Sequence, residues 1–490
     1  MTHRQLLRLI LPACIAAAAL AVPASASAIL VGMESNRELV NTTQTPELQA
    51  KALDLMKEQG VQVVRANARW NEIAAGCAGQ SAAALEDHTN ACYSWARTDS
   101  LATLANARGM QVLLSFQQNP LWLHPGKVNA DSETQYYMGN TVAEFNRTKQ
   151  FLYAFHKAAA TRYKAGSSFG TVKFWTVHNE PNSRYYWGGP PNPDRYAQLY
   201  GSVARAIRLG NPSAKIAPGP TGPVGGAGGM KPVPFIRGFQ AAVVKYLPGS
   251  MATKRSYINA WAHNPYPDTK NGPSYVSRRQ QADWITMGSI DKLFRLLDSK
   301  PISRNTKVWA TEFGWQTPPE RADGTTAANQ ARFVAEAFDY LDSKRIGTQG
   351  RVEIGISYGL SDPEDLADWQ SGTLTNAGVK KPSFYMFQRM ISVPQAALNG
   401  RVAPNTRVRI WGRSNVNPSG TQLAWRLVGG KCDSRAPMNG FCTLKGQRGV
   451  MGTPGAKYAF LTVRRGQRID FAVYDTVSKT YGRTQRITVR

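Results

Sequence analysis

Residues 174–182 read FWTVHNEPN. An apolar, β-prone run ends abruptly in His178, Asn179 and Glu180, and Pro181 closes it. A proline disfavours the helical region for the residue before it, so Glu180 is expected to be extended at the end of a strand over 172–178. Two readings follow. Glu180 is either a solvated junction residue or an acid held in a fixed direction, and the other strand ends have to decide.

Working outward, the same texture recurs. β-Prone runs fall at 29–33, 61–66, 110–116, 172–178, 215–219, 257–263, 307–312 and 352–358. Amphipathic segments lie between them. In the first, Leu48, Ala52, Leu55 and Met56 share a face and Gly60 ends the turn. Another opens on Thr141 and Glu144, spaced as a capping box. Further helices are predicted over 194–209, 277–299, 325–343 and 381–390. Strands alternating with helices imply a parallel sheet. Eight such units predict an α/β chain whose residues 29–393 form a (β/α)₈ TIM barrel. A doubly wound open sheet is the competing reading, but no Gly-rich phosphate loop follows the first strand. Beyond residue 393 the pattern changes to short alternating runs at 406–410, 422–428, 457–463, 468–474 and 483–489, which predict a small all-β sandwich domain over 400–490.

The 490 residues suffice for both units, and 42% hydrophobic content suits a large core rather than a disordered chain. Residues 1–28 have basic positions at Arg4 and Arg8, an apolar run, and small residues at Ala24, Ala26 and Ala28. They predict a signal peptide cleaved after Ala26 or Ala28, hence a secreted protein with no other membrane-spanning stretch. A lipid-attachment box at Cys14 is the alternative, but most of the apolar run follows it. Cys77, Cys92, Cys432 and Cys442 remain in the mature chain. Short loops favour the disulfides Cys77–Cys92 and Cys432–Cys442 over a zinc site, which lacks nearby histidines. The net charge is +27, and residues 400–490 alone carry 17 basic and three acidic side chains. That excess permits contact with anionic cell-surface polymers, while no zinc finger, RNA-binding signature or helix-turn-helix pattern supports nucleic acid.

A barrel gathers all its strand ends at one mouth. Arg65 would come there from strand two, with Trp70 following. Strand four brings His178, Asn179 and Glu180; strand six brings His263, Asn264 and Tyr266; strand seven brings Glu312, with Trp315 behind it. Two carboxylates among Arg, His, Tyr and aromatic residues suit glycoside hydrolysis, which needs an acid for the leaving oxygen and a carboxylate near the anomeric carbon. On Asn179-Glu180-Pro181-Asn182, Thr311-Glu312-Phe313-Gly314-Trp315, His263, Tyr266 and Arg65, residues 29–393 resemble the clan A glycoside hydrolases. The chain is most similar to family 39 and its cellulase-like relatives.

The resemblance implies Glu180 as general acid/base and Glu312 as nucleophile of a retaining enzyme, with no metal or organic cofactor. It implies that Asn179 bonds the sugar 2-hydroxyl, that Arg65 and Tyr266 hold Glu312, and that His263 contacts sugar or acid. Trp315, Trp187 and Tyr186 are candidate stacking faces or loop packing. Strand eight ends on Tyr358 where many clan members have Trp, and Trp369 is a candidate substitute. His178 replaces a common aromatic, and the loop over 219–234 is expected to shape the cleft. The substrate is expected to be a β-linked poly- or oligosaccharide. A non-catalytic carbohydrate-binding barrel and a surface-anchoring protein are the rival readings.

Overall fold

The structure is a computed structural model and describes residues 29–129, 133–267, 281–318, 324–347, 350–366, 368–430, 440–450 and 453–490. Eight parallel strands form the barrel: β1 (Leu30–Glu34), β2 (Val63–Arg69), β3 (Gln111–Gln117), β4 (Phe174–Val177), β5 (Lys215–Pro218), β6 (Ala260–His263), β7 (Lys307–Phe313) and β8 (Val352–Tyr358). Their ladder runs β5-β4-β3-β2-β1-β8-β7-β6. The remaining seam is joined at Thr221 and His263, and Asn264 N–H donates to the Thr221 carbonyl. Neighbouring strands are thus wound into a closed ring, the predicted barrel.

Period-2 alternation decides which side chains reach the interior. Leu30 and Val63 lie in the inner cluster with Leu113, Phe174 and Trp309, whereas Val31, Met33, Val64 and Ala66 pack outward. The same parity sends Glu34 on β1 and Arg65 and Asn67 on β2 inward, above that apolar plug. Glu34 pairs in register with Arg65 on one side and Tyr358 on the other. β7 breaks the alternation. Counted from inward Trp309, Glu312 should point out, but register irregularities between β7 and β8 extend through Phe313. Phe313 instead packs outward against Phe338, at 5.4 Å between ring centroids. An irregularity of this kind re-aims a side chain, and here it turns the acid to the mouth.

The helices around the barrel start where their caps dictate. Pro46–Glu58 (α1) is capped by Thr45, whose side chain accepts from Leu48 N–H. Ala96–Ala107 (α2) follows β2, and Val142–Arg162 (α3) opens with the complete Thr141/Glu144 box. Pro193–Gly210 (α4) is capped by Asn192, and Pro232–Tyr246 (α5), Asp291–Asp298 (α6), Ala327–Gly347 (α7) and Pro382–Gln388 (α8) complete the ring. Two helices are shorter than the sequence suggests. α6 begins only at Asp291, and α8 stops at Gln388 because the backbone at Arg389 is extended and Arg389–Ser392 forms a strand. Among the described residues no helix is long and apolar enough to cross a membrane.

That strand enters the second unit, which consists of a four-stranded and a six-stranded sheet of mainly antiparallel pairs. The unit is bound to the end of the barrel away from the mouth. Arg413 Nη1 donates to the Ile29 carbonyl at 3.0 Å, and Asn415 reaches the Phe387 carbonyl. On α7, Asp339 accepts from Arg409 at 2.6 Å and Ser392 at 2.8 Å, and Asp342 accepts from Trp411 at 3.0 Å and Thr453 at 2.7 Å. The disulfide Cys77–Cys92 is present, which removes the zinc alternative for that pair. Cys442 is disulfide-bonded too, and its expected partner Cys432 lies outside the described residues, as does the expected signal peptide over 1–28.

Candidate active site

Arg65 is the centre of the mouth and is fully buried. Its Nη1 donates to both Glu34 and Glu312, so two carboxylates meet at one nitrogen. Its Nη2 donates to Asn179 at 2.9 Å and Asn67 at 3.2 Å. A guanidinium only donates, so the amide oxygens of Asn67 and Asn179 must face it. The Asn179 NH₂ therefore faces away from Arg65, while the Asn67 NH₂ donates to Glu34 at 2.8 Å. Tyr266 Oη donates to the second oxygen of Glu312 at 3.1 Å. Glu312 thus has one oxygen on a cation and one on a phenol, the surroundings of an anion. The Tyr266 hydroxyl is itself pushed well up by burial and by the Glu312 charge, so it stays a donor.

Glu180 has a different environment. It is half-buried. Among the described residues its one side-chain donor is Asn264, at 2.9 Å. Thr311 Oγ1 donates to the Asn264 oxygen at 2.8 Å, which turns the amide NH₂ towards Glu180. Burial, then the Glu312 charge, push the Glu180 carboxyl up to about 7. A carboxyl stripped of water and set near another is kept protonated near neutral pH. Gly222 lies directly beneath, where a Cβ would stand 2.8 Å from Oε2, so any larger residue would displace the acid.

The backbone at Glu180 departs from the expectation drawn from Pro181. Its φ is +42°, and His178 two residues earlier has φ +69°. Both lie in the left-handed region, which costs a non-glycine residue about 1–3 kcal/mol. Local bonds overrule the dipeptide preference: Glu180 N–H donates to the Pro220 carbonyl at 2.8 Å, and Ser183 N–H to the Glu180 carbonyl at 2.8 Å. His178 is also tied down, with Nε2 at the Tyr186 carbonyl.

Some candidates are placed elsewhere. His263 has both ring nitrogens occupied, Nδ1 by the Thr221 hydroxyl and Nε2 by the Ile285 carbonyl, each at 2.7 Å. It is buried, and burial lowers it to about 4, so it is a neutral brace for the β5–β6 seam and not a contact to sugar or acid. Trp315 is buried against Phe333, and Trp187 against His178 and Tyr196. Neither offers a face to the cleft. The aromatic side chains at the opening are Tyr186, Tyr358 and Trp369, which line a cavity of about 860 Å³ together with Asn36, Asn67 and Gln118. Trp369 is 39% exposed and stands edge-on to Tyr266 at 5.1 Å, next to the residue that holds Glu312. Sequence reading missed Glu34 and Asn67 outright. The parity of β1 and β2 was the available signal, since Glu34 and Asn67 sit inward as Arg65 does.

Comparison with known proteins agrees with this geometry. Among curated proteins none matches the chain. By fold it is similar to a family 39 glycoside hydrolase from the gut symbiont Bacteroides cellulosilyticus WH2 (TM-score 0.51, 14% identity, 89% of this chain and 81% of that one). It is also similar to a glucosidase from Croceicoccus marinus (TM-score 0.54, 13% identity, 92% and 97%). At such identities these likenesses speak for the fold alone, a (β/α)₈ barrel. The model of the cellulase family, glycosyl hydrolase family 5, matches residues 26–350, and to that family this chain belongs.

Proposed function

We propose that the chain is an exported, retaining glycosidase that cleaves β-linked poly- or oligosaccharides by double displacement. The observation that carries this reading is the contrast between the two carboxyls. Glu312 is anchored on Arg65 and Tyr266 as an anion, while burial and the Glu312 charge push Glu180 up to about 7. In the first step a Glu312 oxygen attacks the anomeric carbon and the glycosidic C–O bond breaks. Its electron pair leaves on the aglycone oxygen, which takes the Glu180 proton. In the second step Glu180, now ionised, takes a proton from water, which displaces Glu312 from the sugar. Asn179, its NH₂ turned away from Arg65, is suited to bond the sugar 2-hydroxyl, and Trp369, Tyr358 and Tyr186 to meet ring faces.

The leader over 1–28 supports export, and the charge of residues 400–490 supports contact with anionic surface polymers. The test is turnover on nitrophenyl glycosides and insoluble polysaccharides. β-Glucosides and β-glucans come first, because the matching family model is described as a cellulase. NMR of the first-formed product should show retained configuration. Inversion overturns the mechanism, and binding without turnover returns the chain to a carbohydrate-binding role.

A further inference from the structure

The mouth holds a third carboxylate for which double displacement has no part. Glu34 is fully buried, in register beside Arg65, and shares the Nη1 of that arginine with Glu312. Its other oxygen accepts from Asn36 and Asn67, both at 2.8 Å. Burial, with the Glu312 charge adding to it, pushes the Glu34 carboxyl well up, while Arg65 and Asn36 act the other way. One cation therefore serves two carboxyls, and Glu34 has no opening through which to touch a sugar. The charged and titratable groups facing it are Arg65 from β2, Glu312 from β7, Tyr358 from β8 and Tyr266 from the β6 loop.

We propose that Glu34 is a positioning residue of the nucleophile: it takes part of the Arg65 charge while Glu312 is ionised, and becomes the counter-ion of Arg65 when Glu312 is esterified. This rests on Glu312 being the nucleophile. Without Glu34, the guanidinium would be committed to Glu312 alone. The carboxylate would then be held more tightly as an anion and would attack carbon less readily. When attack converts Glu312 to a neutral ester, a buried Arg65 would be left without an anion, a costly state. With Glu34 in place, the same step exchanges one ion pair for another and the buried cation stays matched. Glu34 thereby favours the glycosyl-enzyme relative to the free enzyme.

The test compares wild type with Glu34→Gln, which preserves shape and hydrogen-bond capacity but removes the charge, and with Glu34→Asp, which retains it. The wild type is first treated with a dinitrophenyl 2-deoxy-2-fluoro-β-glycoside of the sugar it turns over. Absence of a label on Glu312 overturns the nucleophile assignment itself. With Glu312 labelled, three results are expected of Glu34→Gln in pre-steady-state kinetics. Glycosylation slows about tenfold, deglycosylation of the trapped enzyme quickens, and the acid limb of the glycosylation profile moves down by roughly one pH unit. Glu34→Asp should recover most of the limb position. A labelled Glu312 with an unmoved limb, or both steps slowed alike in a folded Glu34→Gln, overturns the role for Glu34. Should Glu34→Gln fail to fold, the Glu34→Asp profile decides, because it must keep the wild-type limb.

Discussion

The two ends of the barrel both bury carboxylates, and they treat them in opposite ways. At the bottom, Asp339 and Asp342 each have donors of their own: Arg409 and Ser392 for one, Trp411 and Thr453 for the other. At the mouth, Glu34 and Glu312 share one nitrogen of one arginine, and among the described residues Glu180 has a single amide donor. The two carboxylates of the base accept from separate donors. The mouth crowds three carboxyls around one cation, together with left-handed backbone at His178 and Glu180. Chemistry is found where matching is incomplete, because a group fully satisfied at rest has nothing to gain in a transition state.

The comparison can be broken most severely at Glu312. Glu312→Ala should lower kcat by about 10⁴-fold or more, with no rescue of the first step. Glu180→Ala should keep that step on substrates with good leaving groups and be rescued by azide. Equal losses in the two variants on an activated substrate would erase the difference between the carboxyls. Next, Arg65→Met leaves Glu34 and Glu312 buried together without a cation. It should cost about 3–5 kcal/mol in denaturant unfolding at neutral pH. A variant as stable as wild type would show that the mouth is not short of positive charge.

The pH profile sharpens the same contrast. The Glu180 carboxyl is raised from the ordinary carboxylate value to about 7. As the proposed acid it must carry a proton, so activity on unactivated glycosides should fall as pH rises through about 7. Because the folded form binds that proton more tightly than the unfolded chain does, its contribution to stability should also fall between about pH 4.5 and 7. Glu312→Gln removes the second cause of the shift, and a titration of Glu180 in that variant should move downward.

At the bottom the expected effects are smaller and leave chemistry alone. Asp342→Ala strands the Trp411 N–H, costing about 1–3 kcal/mol with kcat unchanged. Smallest is charge reversal at exposed Arg464 and Arg465 in the C-terminal unit. Retention on anionic polymers should weaken modestly and only at low salt, since exposed charges are screened within roughly 8 Å at physiological ionic strength. Salt-independent retention would remove the polymer contact from the proposal.

What was legible in the sequence was whatever parity and strand order dictate. Arg65, Glu180, Glu312 and Tyr266 converge because each ends or follows a strand of one ring, and no fine detail was needed. The illegible residues are those whose direction depends on a neighbour far along the chain. His263 ends β6 as expected, yet Ile285, 22 residues on, and Thr221 occupy its nitrogens. Trp315 follows the strand end that carries Glu312, but an aromatic there reads the same whether it turns to the cleft or to Phe333 on α7. Glu180 is left-handed because Pro220 offers a carbonyl, and a dipeptide preference carries no knowledge of that. Glu34 looked like the end of an ordinary strand until its register with Arg65 was known.

The hydrogen bond from Arg413 to the carbonyl of Ile29 joins positions 384 residues apart. β1 is also paired along its length with β8, more than 300 residues downstream. A segment made early on the ribosome is therefore finished by segments made more than 300 residues later. Contacts of such sequence separation make for slow assembly and leave an unfinished sheet edge exposed meanwhile. The barrel cannot close during synthesis of its first half, and the β domain that grips its base arrives as a latch on a ring only just completed.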